Sequence, residues 1–188
     1  LVTWTLVGAV IGGFIFGTLS DKFGRVRVLT WTIVLFAVFT GLCAFAQGYW
    51  DLLIYRTIAG IGLGGEFGIG MALAAEAWPA QHRAKATSYV AIGWQLGVLA
   101  AALLTPVLLP YIGWRGMFMV GIIPAFVAWF FRAKLHEPEI FVQSKEIKEH
   151  SHTNSFKLLV KDVRTTKTSI GVAILTSVQN FGYYGIMI

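Results

Sequence analysis

Residues 17–27 read GTLSDKFGRVR, which sets Asp21, Lys22, Arg25 and Arg27 within seven positions between two stretches that carry no charge. Residues 1–20 hold no Asp, Glu, Lys or Arg, and neither do residues 28–50. Soluble proteins spread charge along every exposed helix face, whereas this chain confines it to short islands. Charge-free runs recur at 86–114, 116–131 and 168–188. A hydrocarbon core of about 30 Å needs ~20 apolar residues of helix. Four of the five runs reach that length, and the fifth does so with its flanking Trp114 and Arg115. The island at 17–27 therefore reads as a short loop between two membrane-spanning helices.

The whole composition agrees. The 188 residues are 56% hydrophobic and 13% charged, with a mean hydropathy of +0.70. Soluble domains carry about 25% charged residues, so too little polar surface is present to coat a globule of this size. Alternation of period two is absent and Gly-rich apolar blocks dominate, which argues against a β-barrel. A further span is interrupted only by Arg56, Glu66 and Glu76. The expected fold is all-α, a polytopic bundle with spans at 1–20, 28–47, 51–78, 87–110, 114–132 and 169–188. The chain opens on Leu inside a span, and no basic n-region with a cleavage site suggests a signal peptide. Both ends read as truncations of a longer protein.

Charge distribution orients the bundle. Of fifteen Lys and Arg residues, thirteen fall at 22–27, 83–85 and 132–167, and the alternate connections at 47–51 and 109–113 hold none. The positive-inside rule places the basic face in the cytoplasm, so loops 21–27, 79–86 and 133–168 are expected there, in the cell membrane. Trp50, Trp78 and Trp114 fall at span ends as interfacial anchors. The net charge of +6 thus orients the chain and implies no nucleic-acid partner. Three domains follow: helices at 1–132, a linker at 133–168 whose Phe156, Leu158, Leu159 and Val163 are spaced for a short surface helix, and a last span at 169–188.

Other chemistry is thinly represented. Cys43, the single cysteine, excludes a disulfide framework and a thiolate metal site. His82, His136, His150 and His152 lie in expected loops without a metal-ligand set. No nucleotide-binding loop, nucleophile elbow or zinc-protease motif occurs, so no cofactor is implied. A channel would want a filter or pore ring, and an intramembrane enzyme a catalytic dyad; neither pattern is present.

Three motifs carry a resemblance. The first is Gly17, Asp21, Lys22, Gly24, Arg25 and Arg27 in the first loop. The second runs from Arg56 through Gly60, Gly62, Gly64 and Gly65 to Glu76, Pro79 and Arg83. The third is Glu137-Pro138-Glu139 after the fifth span. In this order and topology the chain resembles the major facilitator superfamily, in its sugar-porter and metabolite–proton symporter branches. The resemblance implies helices two to seven of a twelve-helix transporter, monomeric at full length. It implies a small organic solute (an organic anion, aromatic acid or sugar-like metabolite) moved by alternating access with protons as coupling ion; a facilitative uniporter or a drug-type exporter of the same superfamily is the alternative. Helix five lacks the Gly-Pro pair of drug–proton antiporters, which favours uptake, and the Gly-Gly-Glu-Phe of helix four is closer to organic-anion and aromatic-acid symporters.

The residues then take expected roles. Asp21 and Glu76 can pair with Arg25 and Arg83 as a gate at the basic end. Gly60, Gly64 and Gly68 share one helix face and Gly62, Glu66 and Gly70 another, and small residues at this spacing let helices approach closely in lipid. Gly8/Gly12, Gly13/Gly17 and Gly93/Gly97 repeat the pattern. Glu66 lies about 21 Å along the axis from Leu52, where a charge costs of order 2.5–3.5 kcal/mol. It is therefore a candidate for proton coupling or solute contact, with Gly62 and Gly70 expected to leave room beside it. Arg56, Gln95, Gln179 and Asn180 are further candidates for solute contact.

Overall fold

The computed structural model describes residues 1–132 and 162–187, and every described element is helical. Helix α1 spans Val2–Phe23 and α2 spans Arg25–Leu42, ending in a short 3-10 turn at Cys43–Phe45. Helix α3 spans Tyr49–Ala77, α4 Arg83–Val120, α5 Ile122–Arg132 and α6 Val163–Met187. The chain divides into two compact units, Leu1–Gln143 and Ser144–Ile188, of which the second contributes α6. The third motif at 137–139 and most of the 133–168 linker lie outside the described residues.

The first three expected spans correspond to α1, α2 and α3 within a few residues. The fourth and fifth emerge as one helical stretch, Arg83–Phe130, of 48 residues. At 1.5 Å per residue that is about 72 Å, more than twice a bilayer core. It is broken at Gly113, whose φ of 63° and ψ of 179° no helix accepts and L side chains rarely adopt. Before the break, Trp94 meets Phe67 of α3 edge-on at 5.9 Å. After it, Phe118 lies over Arg56, near the other end of α3. The chain has therefore reversed at Gly113. Gly121 keeps helical dihedrals, so α5 simply continues the returning limb.

Four described stretches are long and apolar enough to cross a membrane: Val2–Phe23, Arg25–Phe45, Tyr49–Ala77 and the double-length Arg83–Phe130. Helix α6 is not among them; Gln179, Asn180 and the Tyr183-Tyr184 pair dilute its apolar run. The helix exteriors are apolar, as lipid requires: Phe14, Trp50 and Val107 are all exposed.

Packing centres on α2, which has α1, α3 and α5 around it. Val28, Leu29 and Ile33 are enclosed with Ile69 of α3 and Ala125 of α5, and Phe16, Leu19 and Leu73 close the cluster. Between α1 and α3 the contact is backbone to backbone. A Cβ on Gly8 would collide with the Thr57 carbonyl oxygen, and one on Gly12 with that of Ile61. Reciprocally, Gly60 faces the Thr5 carbonyl and Gly64 that of Ala9. Two small-residue pairs, four positions apart on each helix, interlock. Gly62 abuts α2 instead, with Phe36 N and Thr32 O each 2.8 Å from its would-be Cβ, and Gly65 sits between Phe16 and Thr32.

Candidate functional site

The two helices that leave the charged loop are joined by one residue. Gly24 adopts φ 110°, which reverses the chain between Phe23 and Arg25 without a longer loop. Its N–H donates to Ser20 O and its carbonyl accepts from Val28 N, both at 3.2 Å. This turn sets Arg25 at the first position of α2, beside the last turn of α1 and the end of α3. Asp21, Ser20, Glu76 and Arg83 lie at this basic end of the bundle.

Arg25 is the hub. Its Nη2 and Nε donate to the two carboxylate oxygens of Glu76 at 2.9 and 3.2 Å, a forked contact between residues 51 apart in sequence. Its Nη1 reaches Asp21 Oδ1 at 3.0 Å and Ser20 Oγ at 2.9 Å. The three charged side chains retain between 18% and 25% of their exposure, so water still screens them. Exposed pairs are worth about 0–1 kcal/mol each, and a forked guanidinium–carboxylate contact lies toward the stronger end. The arrangement ties the α1–α2 turn to the end of α3.

The pairing expected of Arg83 is not made among the described residues. Its Nε donates to the Trp78 carbonyl at 3.3 Å, closing the turn between α3 and α4, while Arg25 takes the fork of Glu76. Lys22, Arg27 and Lys85 are exposed around the hub. Gly17 has open space beside it and lends its carbonyl to Ser20 Oγ at 2.8 Å. Ser20 was not legible as a site residue, since a lone serine near a span end carries no pattern of its own.

The candidates deeper in the spans are scattered. Glu66 is half-buried on α3. The room expected at Gly62 is filled by the α2 backbone, whereas Gly70 has nothing within 4 Å, and neither has Gly68. Those two glycines therefore do not share the close packing of Gly60, Gly62 and Gly64 among the described residues. Gln95 is exposed on α4, as are its neighbours Gly93 and Gly97 with open space around them. Gln179 and Asn180 lie within α6.

Arg56 belongs to a second cluster at the opposite end. Its guanidinium carbon lies 4.8 Å from the centre of the Phe118 ring; Phe118 meets Trp114 edge-on at 6.1 Å; and Arg115 covers Trp114 at 4.9 Å. Arg115 Nη2 also donates to the Ala46 carbonyl at 3.0 Å. This cation–aromatic ladder, with contacts worth about 0.5–2 kcal/mol apiece, fastens the chain just beyond Gly113 to α3 and to the 3-10 turn. The lone Arg115 in a loop region otherwise free of basic residues was its one signal in the sequence. Among the described residues no group of three or more His, Cys, Asp or Glu side chains could hold a metal ion.

An all-helical bundle of membrane-length segments with an arginine–carboxylate junction at its basic end is the architecture of a polytopic membrane protein. The model of the Major Facilitator Superfamily matches residues 1–188, and the chain belongs to that family. A metabolite transport protein of Haemophilus influenzae is 77% identical over 193 residues, covering 100% of this chain and 47% of that protein. A 4-methylmuconolactone transporter of Cupriavidus pinatubonensis is 38% identical over 192 residues, covering 100% of this chain and 44% of its own length. Among solved structures, a D-xylose–proton symporter superposes with a TM-score of 0.68 at 25% identity, over 85% of this chain and 43% of that one. The chain spans about half the length of the curated relatives it matches.

Proposed function

We propose that the full-length protein is a secondary active transporter that takes up a small organic solute by alternating access, driven by protons. The solute is an organic anion, an aromatic acid or a sugar-like metabolite. The observation that carries this reading is the Arg25 junction, in which one guanidinium fastens the α1–α2 turn to the end of α3 through Glu76 and Asp21. The lopsided distribution of Lys and Arg supports a cytoplasmic position for that junction, in the cell membrane. There it serves as the inner gate, closed while the cavity faces out and parted when it faces in. The 4-methylmuconolactone relative supports an organic-acid cargo, and the D-xylose–proton symporter supports proton coupling.

Glu66 is the proposed proton carrier. It is the one carboxylate deep in a described span, and alternating access would change its surroundings between the two states. A group whose proton affinity differs between inward- and outward-facing forms couples proton flow to solute movement. Glu66→Gln keeps shape and hydrogen-bonding capacity but cannot release a proton. In vesicles that variant is expected to exchange labelled 4-methylmuconolactone or D-xylose, whichever the parent carries, yet fail to accumulate it against a gradient. Accumulation by the variant at the parent level overturns the assignment of Glu66. A parent that equilibrates solute without concentrating it overturns proton coupling.

A further inference from the structure

We infer that Ser20 is a positioning residue for the Arg25 gate: its buried hydroxyl aims the guanidinium at Glu76. This rests on the gate reading given above. Ser20 is fully enclosed, with 0% of its surface exposed, in the last turns of α1. Its one hydroxyl hydrogen is committed to the Gly17 carbonyl at 2.8 Å. A hydroxyl has a single donor and two acceptor lone pairs, so toward Arg25 Nη1, at 2.9 Å, Ser20 can only accept.

That fixed polarity matters because of how a guanidinium distributes its five N–H groups in a rigid plane. Two of them, on Nε and Nη2, go to the fork of Glu76. Nη1 then has two hydrogens, one directed at Asp21 and one at Ser20. Asp21 is four residues from Arg25 and partly exposed, so by itself it allows the long Arg side chain many poses. Ser20 is immobile. With Nη1 held between a fixed acceptor and Asp21, the opposite edge of the plane has one direction left, which is the one Glu76 occupies. The Ser20 hydroxyl bonds Gly17 O and Arg25 Nη1, and it acts on Glu76 only through Arg25.

The test uses the full-length protein in inside-out vesicles, with a reporter cysteine at Gly68, a position on α3 with nothing within 4 Å. The probe is a membrane-impermeant maleimide, with the parent carrying buried Cys43 alone as background. Removing an acceptor from a charged donor in this partly screened site is expected to raise the labelling rate about three- to tenfold in Ser20→Ala. In Glu76→Gln and Arg25→Lys backgrounds, Ser20→Ala is expected to add nothing, since no fork remains to be aimed. The melting temperature of Ser20→Ala, measured alongside, identifies a fold defect. Labelling of Ser20→Ala at the parent rate overturns the inference, and so does an equal increment in the Glu76→Gln background, which marks a packing role. If Glu76→Gln itself labels like the parent, the gate reading fails and this inference with it.

Discussion

Replacing Gly64 by alanine adds one methyl at the tightest point between α1 and α3. The new Cβ would fall on the Ala9 carbonyl oxygen, 2.5 Å from its carbon and 2.7 Å from the Ala9 Cα. Ordinary contact begins near 3.4 Å, so clearing the carbon alone takes about 0.9 Å of separation, and clearing the oxygen takes more. Backbone atoms have no rotamer by which to yield. Because Gly8, Gly12 and Gly60 interlock along the same seam, the separation cannot stay local. Overpacking of this kind costs ~1–3 kcal/mol or more, set against a gain of at most about 1 kcal/mol from replacing glycine in a helix. Gly68→Ala, one turn further along α3 and without a neighbour within 4 Å, keeps the helix gain and escapes the clash. Thermal unfolding of the purified full-length protein is expected to show Gly64→Ala clearly below the parent and Gly68→Ala level with it or slightly above. Equal melting temperatures for the two variants would refute the backbone-contact account of the α1–α3 seam.

Other consequences are as direct. Arg25→Lys keeps the charge but loses the fork to Glu76, and it is expected to weaken the junction by about 1 kcal/mol; maleimide labelling at position 68 from the basic side should rise severalfold. Arg83→Ala, whose guanidinium bonds only the Trp78 carbonyl among the described residues, is expected to leave that labelling within about twofold of the parent. A large rise would mean that Arg83 shares the gate after all. Arg115→Ala removes both the hydrogen bond to Ala46 and the cover on Trp114, so thermal stability should fall by ~1–2 kcal/mol, with Arg115→Lys recovering part of it. No change in melting temperature for Arg115→Ala would show that the ladder does not fasten the reversal at Gly113.

The sequence by itself determined that this chain is a set of membrane-length helices, where most of them begin and end, and which ends carry the basic charge. Those properties are local: span length is a count of consecutive apolar residues, and the island at 17–27 interrupts one such count and starts another. The motif pattern also identified Asp21, Arg25, Glu76 and Arg83 as a charged set. It did not determine their pairing. Which acid an arginine takes depends on where the ends of α1, α2 and α3 meet, and Gly24 turns Arg25 toward a carboxylate 51 positions away while Arg83 is spent on its own turn. Glycine periodicity has the same limit. Gly60, Gly64 and Gly68 are equivalent by spacing, yet α1 crosses α3 only along the first two, because two helices inclined to each other touch over a few turns and then diverge. Ser20 was invisible for a related reason, and Arg115 showed only as a lone basic residue. Arg25 is a near neighbour of Ser20 in sequence, but the partner of Arg115, the Ala46 carbonyl, is supplied by tertiary structure, not by spacing along the chain.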